Sequence, residues 1–196
     1  KRIALFVLER AGSNGASLVL GFMLTAAVIS MWVMNTATTI MLLPIGLAVV
    51  TVVKETVKGL SEKETENFQL SLLLGIAYGA TIGGMSTLIG TGPNGMLAAF
   101  MADNYDLDIS FVDWMKVGVP LSAIMLPSSW FVLTRIIYPV RFKTSEETTA
   151  LLSSMKEELG EFQGPEVKVF MVFLLTALCW MLRTVLDDLP GLGGLS

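Results

Sequence analysis

Histidine is absent from this chain of 196 residues, and cysteine occurs once, at Cys179. Without histidine the chain lacks imidazole general bases and the commonest ligands of zinc. A single cysteine excludes an internal disulfide and a cysteine metal cluster. Because Cys179 lies in an apolar run, we expect it to be a small core residue. These absences disfavour hydrolase chemistry, and an enzyme is not expected.

Charge is also scarce, because Asp, Glu, Lys and Arg make up 15% of the chain and hydrophobic residues 53%. Two long segments, 11–53 and 68–101, contain no charged residue at all. This balance lies outside that of ordinary soluble domains. We therefore expect an all-α integral membrane protein, multi-pass in the cell (inner) membrane, with lipid rather than nucleic acid around it.

The first uncharged run, 17–53, is divided by the polar residues MNTATT at 34–39. A spanning helix needs about 20 apolar residues, so the run is too long for one span and short for two. It favours a re-entrant helical hairpin that enters and leaves on one side, with its polar tip near the midplane. Polar residues buried there without a functional partner would cost too much desolvation.

The second run, 68–101, carries the interruption GGMSTLIGTGPNG at 83–95. Clustered glycine and Pro93 disfavour a continuous helix and predict a broken transmembrane helix. Non-helical backbone in a membrane must be buried in protein or line a cavity, so both interruptions are expected to face one polar site. Gly75 and Gly79, four residues apart, are instead expected to serve close helix packing.

The remaining segments give an interfacial helix at 1–16, transmembrane helices at 113–140 and 166–187, and a cytoplasmic amphipathic helix at 141–165. Positive charges orient this arrangement, because cytoplasmic loops of membrane proteins are rich in Lys and Arg. The loop 102–112 carries Asp103, Asp106 and Asp108 and no basic residue. The expected cytoplasmic set is Lys1, Arg2, Arg10, Lys54, Lys58, Lys63, Arg135, Arg141, Lys143, Lys156 and Lys168.

Two helix interruptions that meet in a bundle present unpaired amide hydrogens, which attract an anion, and unpaired carbonyls, which attract a cation. Asparagine and threonine add neutral donors and acceptors, and glycine lets the backbone approach closely. This pattern is typical of a secondary transporter with a midplane site for a substrate and a coupling ion.

The segment SMWVMNTATTIMLLPI at 30–45 resembles the Ser-Asn-Thr signature of the divalent anion:sodium symporters, the INDY-type dicarboxylate, citrate and sulfate carriers. The segment at 77–99, AYGATIGGMSTLIGTGPNGMLAA, is similar to the companion break of that family. The resemblance implies one half of an inverted-repeat transporter, with 17–101 in its transport domain, a missing C-terminal repeat and a homodimer. It implies a small dianion as substrate and sodium as the coupling ion.

Residue by residue, the resemblance implies a sodium site made from Ser30, Met34, Asn35 and Gly90. It implies that Asn35 and Thr36 at the hairpin tip, and Thr91 in the broken helix, bind a carboxylate. Pro93 and Asn94 are expected to shape the break.

Met34 stands where the family carries serine. A thioether is a poor ligand for a hard cation, so only the backbone carbonyl of Met34 could serve sodium. This departure leaves open a sodium-independent dicarboxylate exchanger. A non-transporting membrane assembly module is a further alternative, because half a carrier holds half a site.

Overall fold

The structure is a computed structural model that describes residues 14–57, 59–143 and 164–182, together with Ala150 and Ser154. Helices dominate this part of the chain, which contains no β-strand. They are α1 (Gly15–Ser30), α2 (Asn35–Thr56), α3 (Glu62–Met85), α4 (Gly92–Tyr105), α5 (Phe111–Phe131), which continues as a π-helix over Val132–Ile137, and α6 (Gly164–Met181).

Three of the described helices are long and apolar enough to cross a membrane, namely Asn35–Thr56, Glu62–Met85 and Phe111–Ile137. The expected all-α membrane architecture is therefore confirmed. The interfacial helix expected at 1–16 and the amphipathic helix expected at 141–165 lie almost wholly outside the described residues. Cys179 is exposed on α6, so the expectation of a buried core cysteine is wrong for this part of the chain.

Helices α1 and α3 pack in parallel through a row of glycines on α3. A Cβ added to Gly75 would lie 3.1 Å from Met23 Cγ, and one added to Gly79 would lie 2.5 Å from the carbonyl oxygen of Met23. Gly83 abuts the backbone of Ala27 one turn further along both helices. The packing role expected for Gly75 and Gly79 is confirmed, because a Cβ at Gly79 would overlap the backbone of α1 and one at Gly75 would crowd the side chains of Met23 and Val19.

Helices α2 and α5 run antiparallel to α3 and complete the core. Gly46 of α2 packs against Ile76. Ser71 Oγ donates to the carbonyl of Tyr138 at 3.1 Å, and Trp130 Nε1 donates to the carbonyl of Ala16 at 2.8 Å. The fully buried side chains of this core include Val19, Phe22, Met23, Leu42, Val49, Phe68, Leu72 and Ile76.

The two interruptions are shorter than the sequence predicts. At the tip only residues 31–34 are non-helical, because α2 already begins at Asn35. The Thr39 hydroxyl donates to the carbonyl of Asn35 at 2.9 Å, a local bond that a helix accommodates. In the second run only residues 86–91 are non-helical, since Gly83 and Gly84 stay within α3.

Both ends of the α1–α2 unit lie at one end of the bundle. The Gly15 amide donates to the carbonyl of Phe142 at 3.1 Å, and the Phe142 ring packs edge-on against Phe68 at 5.0 Å between centroids. Phe68 lies near the start of α3, to which α2 is joined through residues 57–61. A hairpin that enters and leaves on one side requires this arrangement, and its re-entrant position in a bilayer stays a prediction.

Candidate functional site

The hairpin tip and the break of the second run are in direct contact. Thr87 Oγ1, in the break, donates to the carbonyl of Met31, at the tip. The side chain of Asn35 lies against Gly84, so closely that a Cβ on Gly84 would overlap the amide group. The structure thus brings together the two segments that the sequence predicts to share one site.

Ser30 fixes the orientation of the Asn35 amide. Ser30 is fully buried, and its hydroxyl donates to Asn35 Oδ1 at 2.6 Å. The same hydroxyl oxygen lies 3.3 Å from the carbonyl oxygen of Val33. Two of the residues implied as sodium ligands are therefore neighbours, with their oxygens at the end of α1 and the start of α2.

Gly90 also lies against Gly84. A Cβ on Gly90 would overlap the Gly84 backbone, and the Gly90 amide donates to Thr87 Oγ1 at 3.1 Å. Asn35 and Gly90 thus both contact Gly84, and Ser30 joins them through its hydrogen bond to Asn35. Their roles as ligands remain predictions.

Asn94 holds the break in shape, as the sequence analysis expects. This residue is 7% exposed, and its Nδ2 donates to the carbonyls of Gly84 at 2.9 Å and of Thr87 at 2.7 Å. Both hydrogens of the amide are used, so the side chain binds the end of α3 to the start of α4.

Met34 departs from the other implied ligands. Its side chain is 70% exposed, and its carbonyl accepts the first helical hydrogen bond of α2 from the Thr38 amide at 3.0 Å. A carbonyl oxygen has two lone pairs, so one acceptor position remains on Met34.

The helices that begin at the interruptions, α2 and α4, differ in their caps from α1, α3 and α5. Asn14, Ser61 and Ser110 each accept a hydrogen bond from a first-turn amide of α1, α3 and α5. The corresponding residues of α2 and α4, Met34 and Thr91, make no such bond. First-turn amides without a cap carry a partial positive charge and are suited to bind an anion. In α4 only Gly92 offers such an amide, because Pro93 has no N–H and the Asn94 amide donates to the carbonyl of Thr91 at 3.2 Å.

The side chains implied in carboxylate binding lie at these two uncapped ends. Thr36 is exposed in the first turn of α2, and Thr91 is half-buried directly before α4. Within the described residues no cluster of His, Cys, Asp or Glu could hold a metal ion. A cation at this site would therefore depend on neutral hydroxyl, amide and carbonyl oxygens.

Sequence reasoning assigned no role to Thr87, which joins the tip to the break, or to Ser122 of α5. The Ser122 hydroxyl donates to the carbonyl of Ile82, and Ser86 Oγ donates to Ser122 Oγ, both at 2.8 Å. The available signal was a hydroxyl in each apolar run, which must find a partner when buried. Its partner could not be read from spacing alone.

Membrane-length helices, two interruptions in contact and helix starts beside neutral oxygens are features typical of secondary transporters. Residues 1–195 match the family model described as "Citrate transporter", and the chain belongs to this family. It is a multi-pass membrane protein of a transporter family rather than an enzyme, and the resemblance seen in the sequence is confirmed.

Among curated proteins the chain is similar to "Sodium-dependent dicarboxylate transporter SdcS" of Staphylococcus saprophyticus, at 34% identity over 186 residues. It is also similar to the protein of the same name from Staphylococcus aureus strain USA300, at 32% identity over 186 residues. In both cases the match covers 94% of this chain and 36% of the relative. The chain therefore spans about a third of the length of these relatives.

Proposed function

We propose that this chain forms the N-terminal part of a secondary active transporter that carries small divalent anions, such as C4-dicarboxylates or citrate, coupled to sodium. The observation that carries the proposal is that two helix starts without a side-chain cap, at Asn35 and Gly92, both adjoin Gly84 at the end of α3. The hydroxyl of buried Ser30 and the amide oxygen of Asn35 lie beside them. The names of the relatives and of the family support the same substrate class.

The anion is held by neutral donors in this proposal. The first-turn amides of α2, the Gly92 amide at the start of α4 and the side chains of Asn35, Thr36 and Thr91 donate to one carboxylate. Because no Lys or Arg lies in 15–53 or 68–102, the attraction comes from helix starts rather than from a basic side chain. The second carboxylate is bound by a part of the carrier outside this chain.

In this proposal sodium binds on the side of the hairpin tip that faces away from the carboxylate. Ser30 Oγ, Asn35 Oδ1 and the carbonyl of Gly90 supply hard oxygens, and Met34 supplies its backbone carbonyl only. Sodium bound there would take the place of the Ser30–Asn35 hydrogen bond as the group that orients the amide. Ion binding would therefore organise the neighbouring anion site.

The larger assembly follows the family pattern that the sequence resembles. Segment 17–101 belongs to a transport domain, in which 17–53 is the re-entrant hairpin and 68–101 the broken helix. A second inverted repeat completes the site, and two copies of the carrier form a homodimer.

A sodium-independent dicarboxylate exchanger is the second candidate, and the exposed thioether of Met34 favours it. Both candidates are tested with the full-length carrier in proteoliposomes, by counterflow of labelled succinate with and without sodium. Unlabelled malate, citrate and sulfate serve as competitors. Uptake that requires sodium supports the symporter, and uptake in the absence of sodium supports the exchanger. If labelled succinate is not taken up with or without sodium, the result supports the assembly module.

A further inference from the structure

The carbonyl end of α3 is closed by hydrogen-bond donors, whereas the starts of α2 and α4 have no side-chain cap. The last four carbonyls of a helix have no partner within the helix. In α3 these belong to Ile82, Gly83, Gly84 and Met85. Their donors are Ser122 Oγ at 2.8 Å, the Ser86 amide at 2.9 Å, Asn94 Nδ2 at 2.9 Å and Trp114 Nε1 at 3.0 Å.

Two of these four donors come from one face of α5. Trp114, Gly118 and Ser122 are spaced by four residues and therefore lie on the same side of the helix. A Cβ on Gly118 would stand 2.8 Å from the carbonyl oxygens of both Met85 and Ser86. The absence of a side chain at Gly118 lets α5 approach α3 closely. Trp114 can then reach the carbonyl of Met85, and Ser122 can reach that of Ile82.

This closure matters for an anion because free terminal carbonyls carry a partial negative charge. The end of α3 adjoins the Asn35 amide through Gly84 and the start of α4 through Asn94. An open carbonyl end at this point would repel the anion that the open amide ends attract.

We propose that Trp114 is a positioning residue of the anion site, which with Gly118 and Ser122 seals the carbonyl end of α3. The broken helix then offers its donors to the substrate and keeps its acceptors bonded. Trp114 does not touch the anion in this proposal, and it affects the anion site by holding the carbonyl of Met85 and thereby the break that follows it. The identity of the ligand in this inference rests on the proposed function. The seal, meaning the hydrogen bonds that close the last carbonyls of α3, rests on the geometry alone.

Trp130 provides a matched control on the same helix. Like Trp114 it is half-buried, and its Nε1 donates to a backbone carbonyl, that of Ala16 at 2.8 Å. Ala16 lies at the start of α1, at the end of the bundle opposite to the break. Replacement of either indole by phenylalanine removes one donor and keeps an aromatic ring.

The experiment compares wild type, Trp114→Phe and Trp130→Phe in the full-length carrier. Hydrogen–deuterium exchange is followed at residues 86–95 and at residues 14–20, and succinate uptake is measured in proteoliposomes. Trp114→Phe is expected to speed exchange in the break and to raise the KM for succinate roughly two- to tenfold, at an unchanged maximal rate per folded carrier. Trp130→Phe is expected to change exchange at 14–20 and to leave the KM unaltered.

Unchanged exchange in the break of Trp114→Phe would overturn the seal. Faster exchange with an unchanged KM would overturn the positioning role. If wild type transports no dianion, the proposed function fails and the exchange data still decide the seal. Should Trp114→Phe not fold, Ser122→Ala removes the donor to Ile82 and is expected to shift exchange and KM in the same direction.

Discussion

The amide oxygen of Asn35 occupies the space in which a side-chain carbon of Gly84 would stand. Since the Ser30 hydroxyl holds that oxygen from the other side, the amide has little room to move. A methyl group at position 84 would therefore displace the residue that the proposal gives both to sodium and to the anion.

Gly84→Ala tests this contact. Overpacking of a close contact costs about 1–3 kcal/mol in stability. If the Asn35 amide moves as a result, dianion affinity should fall at least about tenfold, which corresponds to about 1.4 kcal/mol. Isothermal titration of the folded carrier with succinate measures the loss. Gly95→Ala is the control, because a Cβ at that position meets no atom within 4 Å; equal affinities of the two variants would contradict the prediction.

Thr36→Ala removes a hydroxyl from the first turn of α2. Loss of one or two neutral hydrogen bonds to a carboxylate should cost about 1–2 kcal/mol, or roughly five- to thirtyfold in affinity. Expression should be intact, because the Thr36 side chain is exposed. Thr51→Ala is the matched control on the same helix, where the hydroxyl donates to the carbonyl of Leu47 at 3.0 Å. Unchanged binding by folded Thr36→Ala would remove this residue from the site.

Met34→Ser restores an oxygen where the resembled family carries serine. Sodium prefers hard oxygen ligands, so the half-saturating sodium concentration for succinate uptake should fall. The measurement is a sodium titration at fixed succinate in proteoliposomes that contain the full-length carrier. Met41→Ser controls for the loss of an exposed methionine on the same helix. Identical titrations for wild type and Met34→Ser would limit position 34 to its backbone, and indifference of both to sodium would favour the exchanger.

The acidic loop between α4 and α5 should face the side opposite to the cytoplasm. Asp108→Cys, in a Cys179→Ser background, is expected to react with an impermeant thiol reagent in intact cells, because Asp108 is exposed. Asp106 is less suitable for cysteine, since it adopts a left-handed conformation with φ 53°. Lys54→Cys, exposed at the other end of the bundle, should react only after the cells are opened. The reverse pattern would invert the topology.

Sequence reasoning predicted the features that depend on local composition. Long uncharged runs identify membrane helices, and the polar residues near Asn35 and the glycines near Gly90 locate the interruptions. The spacing of Gly75 and Gly79 is enough to predict close packing, because such pairs let helix backbones approach. The nearness of Ser30, Asn35 and Gly90 came from the family resemblance, which carries information that spacing does not.

Features that depend on tertiary contacts could not be predicted from the sequence. Nothing in the local pattern pairs Thr87 with Met31, or Trp114 with Met85, because their partners lie on other helices. The start of α2 at Asn35 was also missed, since threonines are weak helix formers. In the structure the Thr39 hydroxyl bonds the carbonyl four residues earlier, and the helix accommodates it.

The hydrogen bond from Thr87 to Met31 joins residues 56 positions apart. A ribosome adds roughly 5–20 residues per second, so about 3–11 s separate the synthesis of the two partners. During that interval the Met31 carbonyl lacks the Thr87 hydroxyl, although the glycine row of α3 is synthesised before Thr87. The tip of the hairpin can therefore form its full set of contacts only after α3 and the break that follows it have been synthesised.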